Sequence, residues 1–141
     1  MTVYYVESSA LLKMYKSEKG SEVVKELFDG RVSGELLVTS YLSVLEVNSV
    51  AARLLKGGAI KTRQYETMVG TFVQDLSTYG VVVLPVHNTL VQEAIELLPR
   101  CPLRTADALQ FAAAMRASRA VGEQPFRMVS ADKEIGEACA S

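Results

Sequence analysis

The sequence predicts an α/β fold of three layers, α/β/α, around a central, mostly parallel sheet of about four strands. Three observations lead there. Short runs rich in β-branched and aromatic residues recur at 3–6, 36–39, 81–86 and 126–129. Helical patterns separate them, and parallel neighbours need crossovers of that length. The runs are almost continuously apolar, as in strands covered on both faces.

Residues 3–6 read as a buried strand, and Ser8-Ser9 offers the N-cap of a helix that begins at Ala10. Gly20-Ser21 breaks that helix. Ser21 can cap the next, which carries Val23, Val24, Leu27 and Phe28 on one face and ends near Gly30. After the strand at 36–39, Ser40 caps a longer helix with Leu42, Leu45, Val50 and Leu54 among its apolar positions, stopped by Gly57-Gly58. A mixed helical pattern from Ile60 to about Tyr79 ends at Gly80. Residues 81–86 give the strongest strand signal, with Pro85 near the end. Asn88 caps a helix to about Leu98, and Pro99 and Pro102 bracket the break. Thr105 or Arg104 begins a helix through Leu109, Phe111, Ala112 and Met115. Gly122 and Pro125 mark a loop before the last strand, which leads to Asp132 and a short helix ending at Cys139. No repeat or composition shift divides the chain, so one domain over residues 1–141 is expected.

Net charge is −1, so no global positive field attracts a polyanion; a local basic patch or a bound metal would have to hold one. No apolar run reaches membrane-spanning length, and the opening residues lack the pattern of a signal peptide, so a cytoplasmic protein without a membrane segment is expected. Cys101 and Cys139 read as reduced thiols. With one histidine, His87, a structural zinc site and a Cys–His nucleophile are both disfavoured, and His87 itself reads as a surface or cap-adjacent residue.

Four acids stand at the margins of hydrophobic elements. Glu7 follows the first strand and Asp132 the last, at the carboxyl ends where α/β sheets place their functional crevice. Glu46 lies one turn from both Leu42 and Val50; Asp107 lies four residues from Leu103 and from Phe111. Taken singly, Glu7, Asp107 and Asp132 equally suit capping or first-turn acids, and Glu46 a solvated helix position. Together they suggest one centre, because charge beside buried surface is costly unless paired or bound to a cation. Lysines and arginines near them, Lys13 and Arg104 foremost, read either as solvated faces or as phosphate contacts.

The stretch Tyr4-Tyr5-Val6-Glu7-Ser8-Ser9-Ala10-Leu11 resembles the opening of PIN-domain ribonucleases. Ser40-Tyr41-Leu42-Ser43-Val44-Leu45-Glu46 is similar to that family's second acidic motif. Leu103-Arg104-Thr105-Ala106-Asp107-Ala108-Leu109-Gln110 is similar to the third, and Val129-Ser130-Ala131-Asp132 to the fourth. The resemblance implies a metal-dependent ribonuclease that cleaves RNA phosphodiester bonds with a metal-activated water. It implies Mg²⁺ or Mn²⁺ held by Glu7, Glu46, Asp107 and Asp132, with Ser8 and Ser130 in support. It also implies a VapC-like toxin, often dimeric, neutralised by an antitoxin protein. One departure stands out: the family usually has Asp at the first position, and this chain has Glu7. A catalytically weak PIN-like domain that binds a protein is therefore the alternative expectation. Phosphoryl receivers and phosphatases place paired acids at the first strand, and no phosphate-binding glycine loop is present; the sequence lacks both patterns.

Overall fold

The structure, a computed structural model, describes residues 1–30 and 34–130. β1 (Val3–Val6) leads into α1 (Ser8–Leu11), a 3₁₀ turn (Leu12–Met14) and α2 (Ser21–Gly30). β2 (Leu36–Ser40), α3 (Tyr41–Lys56) and α4 (Thr62–Thr78) follow. β3 (Val82–Leu84), α5 (Asn88–Leu97), α6 (Thr105–Val121) and β4 (Phe126–Val129) complete the described elements. The four strands form one sheet in the order β3-β2-β1-β4. Every pairing is parallel, with Val3 opposite Leu36 and Phe126, and Val38 opposite Val82.

Alternation along β1 divides the core. Val3 and Tyr5 face one layer with Val38, Leu90, Ala94, Leu97 and the alanines of α6. Val6 faces the other, with Leu37, Leu11, Val24, Phe28, Val47 and Phe72. The period of two in a strand thus places α5 and α6 on one side of the sheet and α1 to α4 on the other. Edge-to-face ring pairs, Tyr15 with Phe72 and Phe28 with Tyr79, brace the second layer at centroid distances of 5.7 and 5.2 Å. On α6 the buried positions are Ala108, Gln110, Ala112, Ala113, Ala114 and Ala117. Side chains this small let the helix lie close to the sheet.

Local details differ from the sequence expectations. α1 begins at Ser8 rather than Ala10, with Glu7 in extended backbone at its N-cap. The serine hydroxyls are drawn to a carboxylate instead of the helix amides. Ser21 is the first residue of α2, and its hydroxyl bonds the preceding loop, accepting from Glu18 N and donating to the Lys16 carbonyl. His87, not Asn88, occupies the N-cap position of α5, and its side chain makes no capping bond. α3 does start from Ser40, whose Oγ accepts from Ser43 N. Its buried spine is Ser43, Val47 and Ala51, and Leu45 is 65% exposed. The small residues of that spine win because they permit the closer approach to the sheet. β3 is shorter than the run 81–86: it is an edge strand, and Pro85 lacks the N–H to extend it. Cys101 is disulfide-bonded, which corrects the reduced thiol expected there, since a pairing set by the fold leaves no trace in residue counts. Cys139 and Asp132, with the short final helix, lie outside the described residues.

Gly58 shows why α3 stops where it does. Its φ of +78° is the left-handed conformation that glycine adopts without steric cost.

Candidate acidic centre

The carboxyl end of β1 sits between its two neighbours. Glu7 N donates to the Val129 carbonyl at 3.0 Å, so the ladder to β4 continues to the acid itself. The Thr39 hydroxyl donates to the Val6 carbonyl at 2.7 Å from the β2 side. These bonds fix the backbone from which Glu7 projects.

Glu7 is 3% exposed. Its Oε1 accepts from Ser8 Oγ at 2.8 Å. Its Oε2 accepts from Ser9 Oγ and, at 2.8 Å, from Ser130 Oγ at the end of β4. The residue stands at the N-cap of α1, but its side chain makes no capping bond there. The Ser8 hydroxyl also faces Glu46 Oε1 at 3.1 Å. One hydroxyl hydrogen therefore stands between two carboxylates. Glu46, half-buried on α3, accepts at the same Oε1 from Gln110 Nε2 of α6 at 2.7 Å. It is not a freely solvated helix position.

Gln110 extends the network inward. It is fully buried, its Oε1 accepts from the Tyr5 hydroxyl at 2.6 Å, and its Nε2 lies 2.9 Å from Ser43 Oγ. Burial pushes the Tyr5 phenol up to about 12, with the charges of Glu7 and Glu46 adding to the effect. The phenol thus keeps its proton at neutral pH and acts as a donor.

The structure brings Glu7, Glu46, Ser8 and Ser130 together. Asp107 occupies the first turn of α6, three residues before Gln110 and so on the same helix face. Asp132 lies outside the described residues, and among the described residues no three His, Cys, Asp or Glu side chains cluster closely enough to hold a metal ion. The described part of the centre is a pair of carboxylates met by serine hydroxyls and one amide. Among the described residues no lysine or arginine forms an ion pair with either. Two negative groups gathered by neutral donors, one deeply buried, fit a divalent cation: they are hard oxygen donors, and their charge calls for compensation.

Sequence reading missed Ser9, Ser43, Tyr5 and Gln110 as members of this network. For Gln110 a signal existed: a polar residue one turn after Asp107, within the apolar run Ala108-Leu109 and Phe111-Ala112. Of the proposed phosphate contacts, Lys13 has its ammonium engaged by the Lys19 carbonyl at 2.6 Å and Glu18 at 3.2 Å. Arg104 is exposed at the N-cap of α6, three residues before Asp107. His87 is a surface residue at the start of α5, as expected: Thr89 Oγ1 meets Nδ1 at 2.6 Å and Arg116 Nη1 meets Nε2 at 3.1 Å. A surface cleft of about 670 Å³ is lined by Tyr15, Ile60, Lys61, Arg63, Met68 and neighbours, and among the described residues Glu7, Glu46 and Asp107 are not part of it. Among the described residues no helix is long and apolar enough to cross a membrane.

An all-parallel sheet of this order, layered between helices with acids at its carboxyl ends, defines a class that direct comparison identifies. The chain matches the PIN domain over residues 4–139 and belongs to that family. Among solved structures it is similar to VapC20 of Mycobacterium tuberculosis, a toxin that cleaves the sarcin-ricin loop. That match has 20% identity and a TM-score of 0.65, over 96% of this chain and 94% of the other. It is also similar to VapBC2 of Rickettsia felis, bound to a DNA fragment from its promoter. There the identity is 10% and the TM-score 0.61, over 89% of this chain and 98% of the other. At such identities these likenesses establish the shared fold. No curated protein matches the sequence.

Proposed function

We propose that this PIN domain is a metal-dependent endoribonuclease, the toxin of a toxin–antitoxin pair, acting in the cytoplasm with Mg²⁺ or Mn²⁺. The observation that carries the reading is the joining of Glu7 and Glu46 through the single Ser8 hydroxyl, with no cationic side chain paired to either among the described residues. The departure from Asp to Glu at the first acid is compatible with it, because the longer side chain meets the same Ser8 hydroxyl that faces Glu46. In this reading Glu7, Glu46, Asp107 and Asp132 hold the cation. Ser8 and Ser130 orient the Glu7 carboxylate, one at each oxygen. When bound, the cation supplies a polarised water as nucleophile and neutralises charge on the phosphate. Arg104, three residues before Asp107, and Lys13, whose ammonium meets Glu18 and the Lys19 carbonyl, are the proposed phosphate contacts.

An antitoxin protein and a second copy of the chain are the partners of this reading. The exposed apolar side chains Val91, Ile95 and Leu98 on and after α5 offer surface for one of them.

The test is cleavage of single-stranded and structured RNA by purified protein, with Mg²⁺, Mn²⁺ or a chelator. Cleavage that requires the metal and disappears in Asp107→Asn with the fold retained is the expected result. Full activity in that variant, or in the presence of chelator, would remove the metal mechanism.

A further inference from the structure

Gln110 is fully buried, and its surroundings fix which way its amide points. An ionised carboxylate only accepts, so the group 2.7 Å from Glu46 Oε1 must be the amide nitrogen. With the nitrogen fixed at Glu46, the atom 2.6 Å from the Tyr5 hydroxyl is the amide oxygen, which accepts from the phenol. Reversing the amide would set oxygen against oxygen at Glu46 and take this acceptor from the buried Tyr5 hydroxyl. The side chain is therefore locked from both ends, by β1 through Tyr5 and by α3 through Ser43 and Glu46.

The consequence falls on Glu46. Its Oε1 takes both available donors, Ser8 Oγ and Gln110 Nε2. Its Oε2 has no donor among the described residues. A half-buried glutamate has several rotamers, and the apolar neighbours Leu42 and Val50 give no directional hold. The Gln110 amide gives that oxygen a hydrogen of its own, while the Ser8 hydroxyl facing it is shared with Glu7; this selects one orientation and leaves the other oxygen for a ligand.

We propose that Gln110, locked by Tyr5, is a positioning residue that presents Glu46 Oε2 to the bound cation. This rests on the reading of Glu7 and Glu46 as cation ligands. Gln110 touches neither substrate nor cation in this role; it acts through Glu46.

The experiment is calorimetric titration of the metal-free protein with Mn²⁺, for the wild type, Gln110→Met, Tyr5→Phe and the double variant. Circular dichroism reports whether each is folded. Met keeps the length of Gln and removes the donor. Supporting partners of metal ligands typically change affinity by about 10- to 100-fold, and a loss in that range is expected for Gln110→Met. Tyr5→Phe should lose less, and should add nothing in the Gln110→Met background, because it acts through the amide. In RNA cleavage kcat should fall with KM unchanged. Wild-type affinity in a folded Gln110→Met overturns the inference, as do additive losses in the double variant. If Gln110→Met does not fold, Tyr5→Phe decides alone, and unchanged affinity there overturns it. A wild type that binds no Mn²⁺ overturns the cation reading itself, and this inference with it.

Discussion

Adding Mn²⁺ to the metal-free protein is expected to raise its thermal stability by an amount that depends on Glu46. The Ser8 hydroxyl lies 2.8 Å from one carboxylate oxygen and 3.1 Å from another. The two oxygens are thus no more than about 6 Å apart, where like charges repel by about 3 kcal/mol at an effective dielectric constant of about 20. Exposure of Glu46 reduces that figure, but a bound cation removes the repulsion and adds attraction. At a free concentration about a hundredfold above Kd, linkage gives about 2.7 kcal/mol. For 141 residues the unfolding entropy is about 0.3 kcal/mol/K, which turns this into a rise of about 9 °C in Tm. In Glu46→Gln both donors still find an acceptor, so the metal-free protein should fold. If affinity falls by about a hundredfold, the same Mn²⁺ concentration leaves about 0.4 kcal/mol, a rise of about 1 °C. Thermal melts followed by far-ultraviolet circular dichroism, with and without Mn²⁺, measure both. An equal rise in wild type and variant, or a rise reproduced by NaCl of matched ionic strength, would refute the reasoning.

Further outcomes follow from the same geometry. The Tyr5 phenol is raised from 10.0 to about 12 by burial, so the folded state holds its proton more tightly than the unfolded chain. Stability from this source is complete below pH 10 and drains away as pH rises toward 12, by about 1.4 kcal/mol per unit; urea unfolding at pH 9 and 11.5 should show a smaller alkaline loss in Tyr5→Phe. Thr39→Val deletes the buried bond to the Val6 carbonyl and should cost about 1–3 kcal/mol in urea unfolding; a neutral result would mean that this bond does not hold the strand end. Glu93 is held below the usual carboxylate range by the hydrogen bond from Arg116. Its contribution is present at neutral pH and lost on acidification through that lowered value. As a partly exposed pair it should be worth no more than about 1 kcal/mol, so Glu93→Gln should shift the unfolding midpoint slightly, and less still in high salt.

How far the sequence could be read depended on how local each signal was. The crossover pattern was legible because strand and helix periods are properties of neighbouring residues. Glu7 was legible because it ends a run of apolar residues, and Arg104-Thr105 because helix starts have their own chemistry. Gln110 was legible only as a polar step one turn after Asp107; its role emerges when Tyr5 and Glu46, distant in sequence, arrive beside it. Leu45 misled for a related reason: hydrophobicity marks a candidate for burial, but the closest approach of α3 to the sheet selected Ser43 and Ala51. The disulfide at Cys101 and the shortness of β3 are likewise decisions of the assembled fold.

The bond from Ser130 to Glu7 spans 123 residues, and the Glu7 backbone pairs with Val129 beside it. During translation, then, the opening strand leaves the ribosome long before the segment that completes its surroundings. While the intervening helices are being made, the first acid lacks one of its three serine contacts and one flanking strand. A PIN domain built this way has its first acid incompletely framed while it is nascent.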